Sequence, residues 1–571
     1  MMAPHQQQYG STEDAQVSDG KENHQYRDTI VAGESLLTSL FPKPPQEIDP
    51  SPMSIDQKFH RCHSCGQLGS HEDEDIQLDE EDGKGKENSN YFSKHIHCRT
   101  RTAFWEDAKN MEEGTIPHSI IVGLIVGITC GCAVFLYYKV LFILMGVAWK
   151  ELPKMFVMDQ WPEHLQVLWI PLVLFVTAIG TGLSVSILGD PGDLAYIVKC
   201  VHAKGYITID HLVPMVFASL FSMVGGGPIG PEPPLVAICA CIAGFISRNL
   251  FKQRNRNMIR KHTLMGMGAA LAALFGCPLG GPLFALEVNS RFGIEYFEHT
   301  VETVFSATVS VMVMRFLSGG VMESIWSFSD VKLANGQPTD ILLGAALGLL
   351  GALVTTAYGA WLSQVLKVFD YLGLLDNKFA VRRALLATCF IAVLGMLIPQ
   401  VLFWGELEFT AIATMAPSSS LPYAWPTPGL IGFEMNSGLN AFIVGVAKMV
   451  TISFAVAGGY RGGVIFPFFA AGAAFGRCFT SIFPSVNVPL ATLCFAAGIE
   501  VSFLRTVLST PIILCYLSGE QQAMAGVLSA SLVSVFATSY IPFIKTQTLR
   551  NDLDSNFSHT GRQSEHNDSK M

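Results

Sequence analysis

The residue best placed to do chemistry is a lone carboxylate in a run of glycine and proline. Residues 225–235 read Gly-Gly-Gly-Pro-Ile-Gly-Pro-Glu-Pro-Pro-Leu, and a small-residue apolar run follows over 236–246. Pro233 and Pro234 suit the first turn of a helix, where the missing N–H would have no acceptor. The glycines, Gly230 among them, let bare backbone come close to another group. A helix start of this kind presents free amides and a positive dipole end, and so favours an anion. Inside a bilayer the break would be a place for an anion to dwell, with Glu232 as a tethered competitor for the same seat. The plainer reading makes Glu232 a first-turn acid that complements the dipole.

Three more Gly/Pro breaks interrupt apolar sequence: Gly189-Asp-Pro-Gly192, Gly276-Cys-Pro-Leu-Gly-Gly-Pro282 and Tyr460-Arg-Gly-Gly-Val-Ile-Phe-Pro467. Moving a bare monovalent ion into hydrocarbon costs on the order of tens of kcal/mol in the Born limit. A conduit must replace hydration with fixed dipoles, and N–H groups and hydroxyls serve an anion without binding it too tightly to release. These breaks are nearly free of Lys and Arg, with Arg461 the exception. Asp190, Asp193, Glu287 and Glu500 are the other acids at or near apolar segments, and such residues are functional candidates by default. Capping or loop roles are preferred for Asp193 and Glu500. Cys62, Cys65, His95, His97 and Cys98 have types that could hold zinc, but only the first pair has the spacing, and a flexible tail is the preferred reading.

The elements that must position these residues are membrane helices. The chain has 571 residues, 50% hydrophobic and 15% charged, with a net charge of −10. The charge is uneven: residues 1–115 carry polar and acidic runs without a sustained period, whereas 116–545 is mostly apolar. The first stretch reads as a disordered cytoplasmic tail, and 546–571 as a short polar tail. Apolar runs at 120–145, 341–357 and 384–397 approach or reach the ~20 residues that cross a bilayer, so a polytopic membrane protein is expected. Irregular backbone survives at membrane depth only where protein buries it or it lines a cavity. Short segments broken by Gly/Pro in both halves point to a site built from half-helices. Residues 230–244 and 462–476 echo each other, each placing glycine and proline before an Ala/Gly-rich run, as an internal repeat would.

Composition also excludes. No basic, aromatic-interleaved face suggests nucleic acid, and no apolar h-region marks a cleaved signal peptide. Ten of the thirteen cysteines fall in the apolar region, where a small buried hydrophobe is the simpler reading. The motifs of zinc proteases, serine hydrolases and phosphate loops are absent, which leaves a membrane-embedded enzyme as a distant alternative.

Gly230-Pro-Glu-Pro-Pro234 resembles the Gly-Lys/Arg-Glu-Gly-Pro motif of the CLC family of chloride channels and chloride/proton exchangers, matching at Gly230, Glu232 and Pro234. The segment 275–287, ending in Glu287, is similar to that family's helix closing on a glutamate. Gly463-Val-Ile-Phe-Pro467 is similar to its Gly-x-Phe-x-Pro motif, with Ile465 where Phe is usual. The resemblance implies an all-α homodimer with tilted and broken helices, each subunit holding its own pore between inverted repeats at roughly 116–320 and 340–545. Glu232 would be the gating glutamate. The anion would be bound mainly by backbone around Gly230, Pro231, Pro233, Gly463, Val464, Ile465, Phe466 and Pro467, and at the inner end by Gly189 and Asp190.

Three departures matter. Asp190 stands where the family has a coordinating Ser, and a carboxylate there would repel chloride unless it caps the following helix. The family's coordinating Tyr falls near Ile544, with Tyr540 the neighbouring hydroxyl. Val288 occupies the place of the exchangers' internal proton glutamate, and an aliphatic side chain carries no proton. The resulting expectation is a passive, voltage- and pH-sensitive chloride channel gated by Glu232, without a further cofactor. A chloride/proton antiporter of the same family is the alternative, with Glu295 or Glu298 as other proton routes. Glu287 reads as a structural, hydrogen-bonded acid.

Overall fold

The computed structural model describes residues 116–192, 194–289, 296–320, 325–328 and 336–541. The candidate zinc ligands and both terminal tails lie outside these residues, as do Asp193, Glu295, the side chain of Glu298 and Ile544.

Among the described residues the architecture is helical, and the only extended pairing is a single two-residue bridge. The first half comprises α1 (Ile116–Gly146), α2 (Trp169–Leu188), α3 (Leu194–Lys204), α4 (Ile209–Val224), α5 (Glu232–Phe245), α6 (Arg256–Phe275), α7 (Gly280–Asn289) and α8 (Tyr296–Leu317). The second comprises α9 (Pro338–Tyr371), α10 (Ala380–Leu397), α11 (Phe409–Thr414), α12 (Gly438–Ala457), α13 (Ile465–Ile482), α14 (Val488–Leu504), α15 (Ser509–Ser518) and α16 (Met524–Ala537). Eight helical stretches are long and apolar enough to cross a membrane, among them α1 with the turns that extend it to Phe156, and α9. Others, such as α4, α14 and α15, are shorter than a bilayer is thick.

Helix starts follow local chemistry. Asn255 caps α6 by accepting the Asn257 N–H, and Ser437 caps α12 by accepting that of Asn440. Gln337 and Asp340 form a reciprocal capping box at α9, with Pro338 in the first turn. A π-turn at Ile246–Leu250 continues α5, so that the helical stretch from Glu232 runs to 19 residues.

Both halves contain a run of three longer helices and a ten-residue helix: α4–α5–α6–α7, then α12–α13–α14–α15. Equivalent members pack alike, with α5 on α6 and α13 on α14, and α7 meets α15. The helices can come this close because small residues line their seams. A Cβ on Gly351 of α9 would lie 2.7 Å from the Gly498 carbonyl carbon of α14. The basic segment 248–261 sits at the end of α5 remote from Glu232, where Arg248 stacks on Tyr206 and Arg260 bonds His202.

Candidate functional site

Three of the four Gly/Pro breaks, at 189–192, 225–234 and 460–467, converge, and one small contact fixes how. Gly230 N–H donates to Gly463 O, and Gly463 N–H to Gly230 O, both at 2.7 Å. This antiparallel bridge ties the residues just before α5 to those just before α13. Two helix N-termini therefore face one point from opposite halves of the chain, and their dipoles add there. A side chain at either glycine would strike the Glu232 carboxyl group.

Glu232 is the first residue of α5, and Pro233 and Pro234 fill its first turn. Its side chain is 3% exposed. Oε1 accepts the Phe466 N–H at 3.2 Å, and Oε2 has no hydrogen-bond partner. The carboxylate thus occupies the first turn of α13, whose leading N–H groups have no acceptor within the helix.

Several residues expected to bind an anion through backbone do something else. The N–H groups of Gly230 and Gly463 are spent on each other, and Pro231, Pro233 and Pro467 have none to give. Gly189 N–H closes the last turn of α2 on Val185 O at 3.1 Å. These residues shape the site. The donors are fewer: Val464 at the N-cap of α13, then Ile465 and Phe466 in its first turn.

The inner end differs from the expectation of a bare acid. Asp190 Oδ1 accepts the Gly192 N–H at 2.9 Å, a local turn that stops short of α3 and so is not the helix cap anticipated, and also lies 2.5 Å from Arg461 Nη2. Arg461 is buried, and its own N–H donates to Ser222 Oγ at the end of α4. One ion pair thereby joins the breaks at 189–192 and 460–463 and cancels the charge that would have repelled chloride. Burial pushes the Asp190 carboxyl up, but the Arg461 guanidinium, the Gly192 N–H and nearby Arg383 outweigh it and hold the carboxyl below its ordinary value. Tyr540 is 90% exposed and takes no part.

A cavity of about 20 Å³ adjoins Glu232, lined by Pro233 and Val236 of α5, Met267 and Leu271 of α6, Phe284 and Val288 of α7, Gly463 to Ile465, and Leu504 of α14. Val288 borders it directly. Beyond lies Glu287, whose carboxylate accepts the Leu508 N–H at 2.9 Å, the Ser509 N–H at 3.0 Å and the Ser509 hydroxyl. It anchors the start of α15, the structural role expected of it. Glu500 is not in a loop or at a cap: it lies within the last two turns of α14 and is fully buried.

Sequence reading missed a second buried group and wrongly expected no further acids inside the apolar region. Glu406 Oε2 accepts Trp404 Nε1–H at 2.8 Å and the Tyr138 hydroxyl at 3.2 Å. Glu408 accepts the Gly405 N–H at 3.1 Å. Lys448, fully buried in α12, donates to the carbonyls of Val401, Leu402 and Phe403 at 3.0, 3.1 and 2.7 Å. Glu406 and Glu408 lie two residues apart, and Lys448 alone, within apolar sequence. The carbonyls of Val401, Leu402 and Phe403, which converge on the ammonium, and the charge of nearby Glu408 make Lys448 tolerable. Trp326 links this group to the site, donating to Glu406 O and meeting the Phe466 ring edge-on at 6.2 Å. No cluster of three potential metal ligands occurs among the described residues.

Comparison with known proteins agrees with this geometry. Residues 192–539, more than half of the chain, match the family described as voltage gated chloride channel. A protein named for ion transport, YfeO of Escherichia coli O1:K1 / APEC, is 23% identical over 376 residues, covering 66% of this chain and 82% of its own. A slow cyanobacterial Cl⁻/H⁺ antiporter superposes with a TM-score of 0.60 at 15% identity, over 75% of this chain and 96% of the other. A CLC-type fluoride/proton antiporter gives 0.56 at 17% identity, over 76% and 100%. At these identities the structural likeness speaks for the fold.

Proposed function

Because the chain belongs to the voltage-gated chloride channel family and is an integral, multi-pass membrane protein, we propose that it exchanges chloride for protons, with Glu232 as the moving gate. The observation that carries this reading is the seat of the Glu232 carboxylate. It lies buried across the Gly230–Gly463 bridge, on the Phe466 N–H that would otherwise face an anion. A chloride ion and an ionised carboxylate compete for those amides by like-charge repulsion. Protonation removes the charge that holds Glu232 there, so proton uptake and chloride entry become linked events. Turnover is then transport, with chloride and protons leaving as they entered, so on this reading the protein is a carrier and not an enzyme.

Two similar structures are antiporters by their descriptions, which supports exchange over the passive channel expected from sequence. The channel remains the second reading because Val288 removes the usual inner proton acceptor. The inner anion would approach past the Asp190–Arg461 pair, whose neutrality lets chloride pass without a fixed charge to trap it. A homodimer with one pathway per subunit follows the family pattern.

Current reversal in proteoliposomes at fixed chloride, with a pH gradient imposed, tests the reading. An exchanger shifts its reversal potential with the proton gradient. A potential that ignores pH defeats it and leaves the passive channel.

A further inference from the structure

We infer that Glu500 is the internal proton carrier of this protein, delivering protons to Glu232 across the cavity that Val288 borders. The inference rests on the exchange reading above.

The case begins with what surrounds Glu500. Its side chain has no exposure to solvent. Thr506 Oγ1 lies 2.9 and 3.0 Å from its two carboxylate oxygens, and Thr510 Oγ1 lies 2.5 Å from Oε2. The two hydroxyls are 2.9 Å apart. A hydroxyl both donates and accepts. With Glu500 ionised, the threonines donate to it; with Glu500 protonated, the new O–H donates to a threonine oxygen. Neither state strands a buried polar atom, which would cost about 1–3 kcal/mol. Glu287, its neighbour in space, is held differently: two backbone N–H groups can only donate, which suits one charge state.

Position supplies the second argument. Leu504 lies four residues after Glu500 on α14, hence on the same helix face, and Leu504 lines the cavity that Glu232 also lines. Val288 follows Glu287 on α7 and borders the same space. The chain thus lacks a carboxyl on the α7 wall of the cavity and has one beside its α14 wall. About 20 Å³ is room for one water-sized molecule, enough for a single relay.

The charged groups within electrostatic reach of Glu500 are Glu287 and Glu232. Arg505, at the cap of α14, directs its guanidinium to the carbonyls of Val535, Thr538 and Ile541 and to the Thr538 hydroxyl. Of the other elements packed on α14, α9 carries Asp340, Tyr358, Lys367, Asp370 and Tyr371, α13 Arg477 and Cys478, and α15 Cys515 and Tyr516; α11 and α16 carry no titratable side chain. None of these bonds Glu500. Among the described residues, no cation bonds it and so none pins it in the ionised state.

The step balances simply. The protonated Glu500 carboxyl loses H⁺ and ionised Glu232 gains it, so one O–H bond breaks and one forms, and total charge is unchanged. Glu232, now neutral, leaves the Phe466 N–H to the anion.

Chloride efflux and proton uptake, recorded together from proteoliposomes driven by a chloride gradient, test this. Glu500→Gln keeps the shape and polar partners of the side chain but carries no proton. It is expected to lower proton flux at least about tenfold, the low end of what a positioned proton carrier contributes, while chloride flux persists. Should that variant fail to elute as a folded protein, Thr510→Val serves: it removes one of the hydroxyls that accommodate both states and is expected to lower the proton-to-chloride ratio likewise. Wild-type coupling in Glu500→Gln, or in Thr510→Val if that is the variant measured, overturns the assignment to Glu500 and leaves exchange standing. Absence of proton flux in the wild type overturns the exchange reading, and this inference with it.

Discussion

Replacing Gly230 by alanine tests the seat of the gate without altering any titratable group. The three heavy atoms nearest a new Cβ there all belong to the Glu232 carboxyl, with Cδ and Oε1 each at 2.7 Å. A methyl needs more room than that, and the far end of a flexible side chain yields more cheaply than backbone. The bridge to Gly463 uses main-chain atoms only, so it persists. Glu232 must then leave the Phe466 N–H, a bond from a neutral donor to a charged acceptor worth about 1.5–3 kcal/mol. At about 1.4 kcal/mol per decade, seat occupancy falls roughly 10- to 150-fold. Anion flux in Gly230→Ala proteoliposomes should lose its dependence on pH between about 5 and 8, and adding Glu232→Gln should change nothing further. If Gly230→Ala, eluting as a folded protein, retains the wild-type pH dependence, the carboxylate is not held where the reasoning puts it.

Glu232→Gln itself should retain chloride flux and abolish proton coupling, read with paired chloride and pH electrodes. Asp190→Ser should free Arg461 to hold the anion, tightening chloride binding roughly tenfold and slowing turnover; adding Arg461→Gln should reverse both, as isothermal titration and flux assays would report. The Asp190 carboxyl is held below its ordinary value, so its pairing stabilises the fold above the unfolded-state value of about 3.9. That contribution is lost only as pH falls through the lower folded value, and thermal unfolding between pH 5 and 8 should show no step from this group. Lys448→Met should destabilise the protein by about 3–5 kcal/mol, the range found when one partner of a buried charged group is deleted. Tryptophan fluorescence during heating in detergent would report it through Trp404, which lies next to the turn that Lys448 holds.

What the chain revealed by itself was local. Proline and glycine act on backbone angles wherever they stand, so the four breaks, the helix start at Glu232 and the stretch of membrane helices were legible along the string. Glu287 as a structural acid was legible too. The pairing of breaks was not. Gly230 with Gly463 and Asp190 with Arg461 depend on how the two halves lie against each other, and Glu500 with Thr510 on how α15 turns back against α14; separation in sequence carries no record of either. The sequence likewise marked the glycines as exposed amide donors, because it could not show that each would spend its N–H on the other. Buried Lys448 and Glu406 were overlooked for the same reason: a charge within apolar sequence is tolerable only once its partners, the carbonyls of 401–403 for Lys448 and the Tyr138 hydroxyl for Glu406, arrive from elsewhere. Single residues set the vocabulary of the site; desolvation, which acts only after packing, decided which donors remained for an anion.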